Sequence, residues 1–114
     1  MSGTSSCSRA LLLLATLVSA VPAFAQDADK GRAIYVARCQ ACHGAEGRGD
    51  GPAARALPQK PRDMRRADFW REFDDAELAA IITAGRPGTV MRGFPMEPAQ
   101  MKQLLAYLRT FQPR

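Results

Sequence analysis

Apolar residues at helical spacing predict two helices in the C-terminal half of the chain. The start of the first helix is indicated by Asp74 and Glu77, which are spaced as the N-cap and N3 residues of a capping box. Gly85 is predicted to end this helix. Its apolar face carries Leu78, Ile81 and Ile82. The second helix has Pro98 in its first turn. Its buried face is predicted to consist of Met101, Leu104, Leu105, Leu108 and Phe111.

A third helix is predicted before the middle of the chain. Asp27 or Asp29 can cap it, and it is expected to run to about Cys42 before Gly44 stops it. Residues 44–63 are so rich in glycine and proline that we expect a loop, with one short helical turn near Ala53–Leu57. No segment alternates apolar and polar residues as a half-buried strand does, so the predicted fold class is all-α.

The longest apolar run, over residues 10–21, lies at the N-terminus behind Arg9. It is followed by Ala-Phe-Ala at residues 23–25, the small-residue pattern of a signal-peptide cleavage site. A membrane-spanning helix needs roughly 20 apolar residues, so the run is short for an anchor. We expect residues 1–25 to be a secretory signal peptide, with a retained anchor as the alternative. The mature domain, residues 26–114, is then expected to be periplasmic, with no membrane span.

Composition narrows the classes of function. The chain has 114 residues, a net charge of +5, 3 cysteines and 1 histidine. The positive charge is modest and the aromatic residues are not interleaved with it, which disfavours nucleic-acid binding. A domain this small often completes its core with a disulfide, a metal or a cofactor.

The strongest chemical signal is the segment Cys39-Gln40-Ala41-Cys42-His43. Its C-x-x-C-H spacing is the signal for haem c attachment. Two thiols one helical turn apart can add to the two vinyl groups at one porphyrin edge, and the adjacent imidazole can bind the iron as the proximal ligand. The motif therefore predicts one covalent haem c, held by Cys39 and Cys42 and ligated by His43.

Three other interpretations of the cysteines remain open. A structural zinc site needs four ligands, and the mature chain offers only Cys39, Cys42 and His43, because Cys7 leaves with the signal peptide. A thioredoxin-like redox pair needs a neighbouring βαβ pattern, which the sequence lacks. A plain structural disulfide is the third alternative, since disulfides persist in exported proteins.

Nearly all of the predicted mature domain resembles the small class I c-type cytochromes of bacteria. The matching pieces are Gly31 and Tyr35 before the motif, the Gly51-Pro52 pair after it, residues 85–94 in place of a Gly-x-x-Gly-x-Met-Pro-x-Phe loop, and the ending at residues 104–109. The resemblance implies a cytochrome c fold, with three to five helices around one haem.

The sixth iron ligand cannot be a second histidine of the same molecule. Met101 belongs to a predicted apolar face and Met64 to a charged stretch, which leaves Met91 and Met96 on the loop between the last two helices. The resemblance implies Met91, with Met96 or an open position as the alternatives. Arg92 stands where the family usually has a proline after this methionine, so we expect a less rigid loop.

Supporting roles follow for three further residues. By resemblance, the carbonyl of Pro52 accepts the second N–H of His43, although an ordinary turn proline is the alternative. Gly31 resembles the glycine where the first helix crosses the last one, against Tyr107. The indole N–H of Trp70 needs a partner if it is buried. A haem propionate is one candidate partner, and simple core packing of Trp70 is the alternative.

Basic residues cluster in the middle of the chain and around the loop, at Arg62, Arg65, Arg66, Arg71, Arg86 and Arg92. A positive rim around a haem edge would steer an acidic redox partner, while an ordinary solvated face is the alternative. We therefore expect a monomeric single-electron carrier, free-standing or the cytochrome subunit of a periplasmic oxidoreductase, that is not itself an enzyme. The alternative function is a haem protein whose open sixth site binds a gas or peroxide.

Overall fold

Five α-helices form the domain in the computed structural model, which describes residues 1–3 and 14–114. In chain order they are α1 (Ala23–Arg38), α2 (Gln40–His43), α3 (Ala67–Glu72), α4 (Asp75–Ala84) and α5 (Pro98–Leu108). Two 3-10 turns, Pro52–Ala56 and Arg109–Phe111, complete the regular structure of these residues. The described part contains no strand, only an isolated antiparallel bridge between Gly85 and Arg92. The all-α prediction is confirmed.

The N-terminal helix differs from its prediction at both ends. It begins at Ala23 rather than at Asp27 or Asp29, because Pro22 provides the extended entry and helix-favouring alanines follow it. It also ends at Arg38, since Cys39 leaves helical geometry at φ −121° and ψ −35°. The helical hydrogen bonds nevertheless continue across the break, from the Cys39 N–H to the Tyr35 carbonyl at 2.8 Å. The predicted single helix is therefore two helices joined by a bend.

The predicted start and end of α4 and the predicted start of α5 are confirmed, whereas α5 ends at Leu108 and Phe111 lies in the following 3-10 turn. The side chain of Asp74 accepts the Glu77 N–H and the side chain of Glu77 accepts the Asp74 N–H, each at 2.8 Å. Gly85 ends α4 with φ +78°, a conformation that suits glycine. α5 has Pro98 at its first turn and buries Met101, Leu104, Ala106 and Leu108.

The first and last long helices cross at Gly31. A Cβ at this position would overlap the Gln103 carbonyl oxygen, so only glycine allows the approach. The predicted crossing is confirmed, but the contact is with the backbone of Gln103 rather than with Tyr107. The ring of Tyr107 packs instead on that of Tyr35, with 5.2 Å between ring centroids. Asp27 and Lys102 add an ion pair of 3.3 Å across the same helix pair.

Helix α3 was not predicted. It is only 6 residues long, and its charged neighbours hide any helical period in the sequence. It brings Phe69 into the core beside Trp70 and Phe73, whose rings lie 5.1 Å from that of Phe69. The core continues through buried residues of α1, α4, α5 and the loops, namely Tyr35, Met64, Leu78, Ile82, Met101, Leu104, Leu108 and Phe111.

The predicted signal peptide overlaps α1 by three residues, because the helix begins at Ala23. Residues 14–22 have no regular secondary structure, and part of the apolar run, with Cys7 and Arg9, lies outside the described residues. Within residues 1–3 and 14–114, no helix combines the length and the apolar character needed to cross a membrane.

Candidate functional site

The C-x-x-C-H motif occupies the bend between α1 and α2. The N–H of His43 donates to the Cys39 carbonyl at 2.9 Å, so Cys39, Cys42 and His43 belong to one helical turn. Both thiols are half-buried and free, and no disulfide joins them. Two thiols and an imidazole are thus presented together at the start of the glycine-rich loop.

The electrostatics of Cys39 argue against the redox-thiol interpretation. Burial raises the pKa of its thiol to about 11, with a smaller opposing effect of Arg38. Reactive redox cysteines have a lowered pKa, because the thiolate is the nucleophile. The structure also argues against the zinc site. The described residues contain no group of three or more His, Cys, Asp or Glu side chains arranged to hold a metal ion.

His43 is held in its neutral form. Burial lowers the pKa of its imidazole, and a neutral imidazole is the form that binds iron. Its Nδ1 is buried and has no hydrogen-bond partner among the described residues. The bond to the Pro52 carbonyl is therefore not made in this structure, and the role of Pro52 stays a prediction.

The segment carrying Pro52 does lie against the motif. The Gly51 N–H donates to the Cys42 carbonyl at 3.1 Å. A Cβ at Gly51 would overlap the carbonyl of Ala41, so the 3-10 turn approaches α2 as closely as backbone allows. The sequence pair Gly51-Pro52 thus marks a real contact between the loop and the predicted iron-binding helix.

The residue that follows the motif is held by a tyrosine hydroxyl, a contact that the sequence did not predict. The Tyr35 hydroxyl donates to the Gly44 carbonyl at 2.6 Å, next to His43. Two loop hydrogen bonds continue the closure, from Gly49 N–H to the His43 carbonyl and from Met64 N–H to the Gly47 carbonyl, both at 2.8 Å. A tyrosine four residues before a C-x-x-C-H motif was the available signal.

The four methionines of the predicted mature domain fall into two groups. Met101 is buried in the core, as predicted, and Met64 is more deeply buried than its charged neighbours suggested. Met91 and Met96 are both half-buried and pack against the same core as Cys39. Burial and packing are alike for the two loop methionines, so the choice between them rests on the family resemblance.

Backbone hydrogen bonds restrain the loop around Met91. The Met91 carbonyl accepts the Arg86 N–H at 3.0 Å, and the Phe94 N–H donates to the Ile82 carbonyl at 2.7 Å. With the bridge between Gly85 and Arg92, these bonds fasten both ends of the segment to the end of α4. The lower rigidity expected from Arg92 stays a prediction.

An open surface cleft lies beside this loop. One wall is formed by Pro58 and Gln59, and the other by Gly88, Thr89 and Val90. The side chains of His43 and Met91 are not part of this lining. The cleft therefore marks an opening between the two loops, next to the predicted distal ligand.

The indole N–H of Trp70 donates to the Met64 carbonyl at 2.6 Å. The guanidinium of Arg109 lies 4.8 Å above the Trp70 ring centroid, in cation–π geometry. The N–H thus has a backbone partner within the protein, as core packing requires. A contact between Trp70 and a haem propionate stays a prediction.

The six clustered arginines do not form a uniform positive rim. Arg62 pairs with Glu72 at 2.8 Å and Arg66 with Asp68 at 3.0 Å, which neutralises part of the cluster. Arg65, Arg71, Arg86 and Arg92 make no ion pair in the described part of the chain. Arg92 lies over the Phe94 ring, 5.1 Å from its centroid. The unpaired charge nearest the Met91 loop comes from Arg86 and Arg92.

Comparison with known proteins decides between the remaining interpretations of the motif. The sequence model of the family described as Cytochrome c matches residues 28–112. The chain belongs to the cytochrome c family. Membership implies covalently bound haem c and a role in electron transfer, and the helical architecture is that of the cytochrome c fold. The free thiols and the neutral imidazole fit such a cofactor.

Two curated proteins are similar to this cytochrome c. It is 33% identical over 94 residues to a cytochrome c-553-like protein of Synechocystis, covering 82% of this chain and 77% of that protein. It is 36% identical over 86 residues to the dihydro-heme d1 dehydrogenase of Pseudomonas aeruginosa. That match covers 74% of this chain but only 15% of the much longer relative.

A solved structure shows the same architecture. A chain of the reducing HAO-like protein complex of Kuenenia stuttgartiensis superposes with a TM-score of 0.64 at 25% sequence identity. The superposition covers 74% of this cytochrome c and 42% of that chain. Domains similar to this one therefore occur both in a protein of comparable length and within larger chains.

Proposed function

We propose that this cytochrome c is a periplasmic single-electron carrier with one haem c. The observation that carries the proposal is the motif at the α1–α2 bend, where two free thiols and a neutral, half-buried imidazole share one helical turn. The chain contains a single C-x-x-C-H motif, which supports one haem. When bound, the haem supplies the one-electron chemistry, and the protein sets its burial, ligation and docking surface.

His43 would be the proximal ligand and Met91 the distal one, with Met96 as the alternative. A thioether is a soft ligand that favours ferrous iron and raises the reduction potential. The family resemblance carries the choice of Met91, because both loop methionines are half-buried against the same core. Pro52 and Trp70 would contact the cofactor on its proximal and propionate sides.

Export and docking complete the proposal. Residues 1–25 would be removed as a signal peptide, leaving a monomer without a membrane span. Arg86 and Arg92 would attract an acidic redox partner near the Met91 loop, and this attraction would weaken with salt. The likeness to segments of a dehydrogenase and of an HAO-like complex supports an electron-transfer subunit of a larger oxidoreductase, and the likeness to a cytochrome c-553-like protein of comparable length supports a free-standing carrier.

The test is the visible spectrum and mass of the protein exported with haem maturation machinery. We expect one covalent haem, removal of residues 1–25, and a low-spin spectrum in both oxidation states. Carbon monoxide added to the reduced protein should leave the spectrum unchanged. Rapid carbon monoxide binding would instead support the gas-binding or peroxide-binding alternative, and a colourless product would overturn haem binding. A Cys39→Ala and Cys42→Ala double variant is the control for covalent attachment.

A further inference from the structure

The hydroxyl of Thr89 forms two hydrogen bonds within the loop that carries Met91. It donates to the Arg86 carbonyl at 2.8 Å and accepts the Met91 N–H at 3.2 Å. The Thr89 N–H also donates to the Arg86 carbonyl, at 3.1 Å. The exposed side chain of Thr89 therefore connects the Arg86 carbonyl with the Met91 N–H across the turn.

The backbone of Met91 is therefore held on both sides. Its carbonyl accepts the Arg86 N–H, and its own N–H has the Thr89 hydroxyl as the sole partner within the described residues. Thr89 is exposed and belongs to no part of the buried core, so packing does not explain its place in the turn. Gly88, with φ +77°, makes the tight geometry accessible without a side chain.

We propose that Thr89 is a positioning residue for the distal ligand Met91. The inference rests on the proposed function, because it takes Met91 to be that ligand. Arg92 cannot restrict the backbone as a proline would, and the Thr89 hydroxyl supplies a restraint from the other side of Met91. A ligand whose backbone is already fixed loses less conformational entropy when it binds, so the hydroxyl strengthens the bond from Met91 to iron.

The test compares Thr89→Val with Thr89→Ser in the haem-loaded protein. Valine keeps the shape of threonine but removes both hydroxyl hydrogen bonds, whereas serine retains them. Imidazole titrated into the ferric protein competes with Met91, so its affinity reports how firmly the thioether is bound. We expect Thr89→Val to bind imidazole about five- to tenfold more tightly than wild type, the size of one or two lost hydrogen bonds. We expect Thr89→Ser to stay within about twofold of wild type.

The matched control is Thr110→Val. The Thr110 hydroxyl donates to the carbonyl three residues before it, that of Tyr107, at 2.6 Å, but in the C-terminal turn rather than beside Met91. This variant should bind imidazole as wild type does. Thermal unfolding of each variant separates a local loosening of the ligand from a general loss of stability.

Two results would overturn the inference, and Met91→Ala tells them apart. If Thr89→Val binds imidazole like wild type while Met91→Ala binds it far more tightly, the role of Thr89 is wrong and the proposed ligand stands. If neither variant differs from wild type, Met91 is not the ligand and both proposals fail. Increased affinity in Thr89→Val and Met91→Ala, with none in Thr110→Val, supports both.

Discussion

The hydroxyl of Tyr35 donates a hydrogen bond of 2.6 Å to the carbonyl oxygen of Gly44, across the whole C-x-x-C-H motif. Tyr35 is fully buried, and its ring contacts those of Tyr107 and Phe111 with centroids 5.2 and 5.4 Å away. The last turn of α1 is thereby tied to Tyr107 of α5, to the 3-10 turn after it and to the residue after His43. The turn that carries the imidazole predicted to bind iron is thus held by a side chain outside the motif.

Tyr35→Phe should lower the free energy of unfolding by about 1 kcal/mol, because the buried Gly44 carbonyl would lose its shorter hydrogen bond and keep only the Gly47 N–H at 3.3 Å. The measurement is guanidinium unfolding of the haem-loaded protein. Tyr107→Phe is the matched control, since no hydrogen bond of the Tyr107 hydroxyl occurs in the described part of the chain, and it should cost no more than about 0.5 kcal/mol. Equal losses in both variants would contradict the role assigned to the Tyr35 hydroxyl.

The same tyrosine should make stability fall at alkaline pH. Burial raises the pKa of Tyr35 above its ordinary value of 10.0. The folded state therefore favours the neutral phenol, so the stabilisation is complete below pH 10.0 and declines as pH rises above it. Wild type should lose stability relative to Tyr35→Phe over that alkaline range. Parallel pH profiles of the two proteins would show that the phenol does not titrate this way.

Gly31→Ala should destabilise the fold although alanine favours helices. The added Cβ would overlap the Gln103 carbonyl at the crossing of α1 and α5. Overpacking of this kind costs typically 1–3 kcal/mol, more than the gain of about 1 kcal/mol from helix propensity. Chemical unfolding checks the sign, with the exposed neighbour Arg32→Ala as the control, expected within about 0.5 kcal/mol of wild type. A net stabilisation by Gly31→Ala would show that the helices do not cross this closely.

Met91→Ala should open the sixth iron position, whereas Met96→Ala should leave it closed. Both side chains are half-buried and of equal chemistry, so the pair separates ligation from packing. Carbon monoxide binding to the reduced protein is the readout, and we expect it in Met91→Ala alone. Binding by Met96→Ala alone would move the ligand to Met96.

Arg109→Ala should cost about 1 kcal/mol of unfolding free energy. Its guanidinium donates to Asp75 at 2.8 Å and covers the Trp70 ring, so one side chain connects the C-terminal turn with α3 and α4. Asp75→Ala should cost less, since the contact with Trp70 remains. Urea unfolding at low and high salt checks this, because salt screens the ion pair but not the ring contact. A salt-independent loss in Asp75→Ala would argue against the ion pair.

Much of the fold was predictable because the signals are local. The capping residues Asp74 and Glu77, the stop at Gly85 and the start at Pro98 act within one helical turn. The motif itself is equally local, five consecutive residues with a defined chemistry. Gly31 was identified by resemblance, although its contact is the Gln103 backbone.

Other features depend on contacts between distant segments. Helix α3 is short and is stabilised by the packing of Phe69 and Trp70 into the core. No local sequence pattern predicts this packing. The Tyr35 hydrogen bond to Gly44 and the pairing of Arg62 with Glu72 need the folded chain to bring their partners together. The two hydrogen bonds of the Thr89 hydroxyl were not predicted for another reason. Threonine is common in glycine-containing turns, so its presence there does not indicate a specific role.

Because α1 and α5 lie at opposite ends of the sequence, their crossing can form only after α5 has been synthesised. A chain that emerges N-terminus first presents Cys39 and His43 long before Pro98–Leu108 exists to bury Tyr35. Contacts between sequence-distant segments form late because a long loop must close first. Until the last helix exists, Tyr35 therefore lacks the Tyr107 and Phe111 rings that cover it in the folded protein.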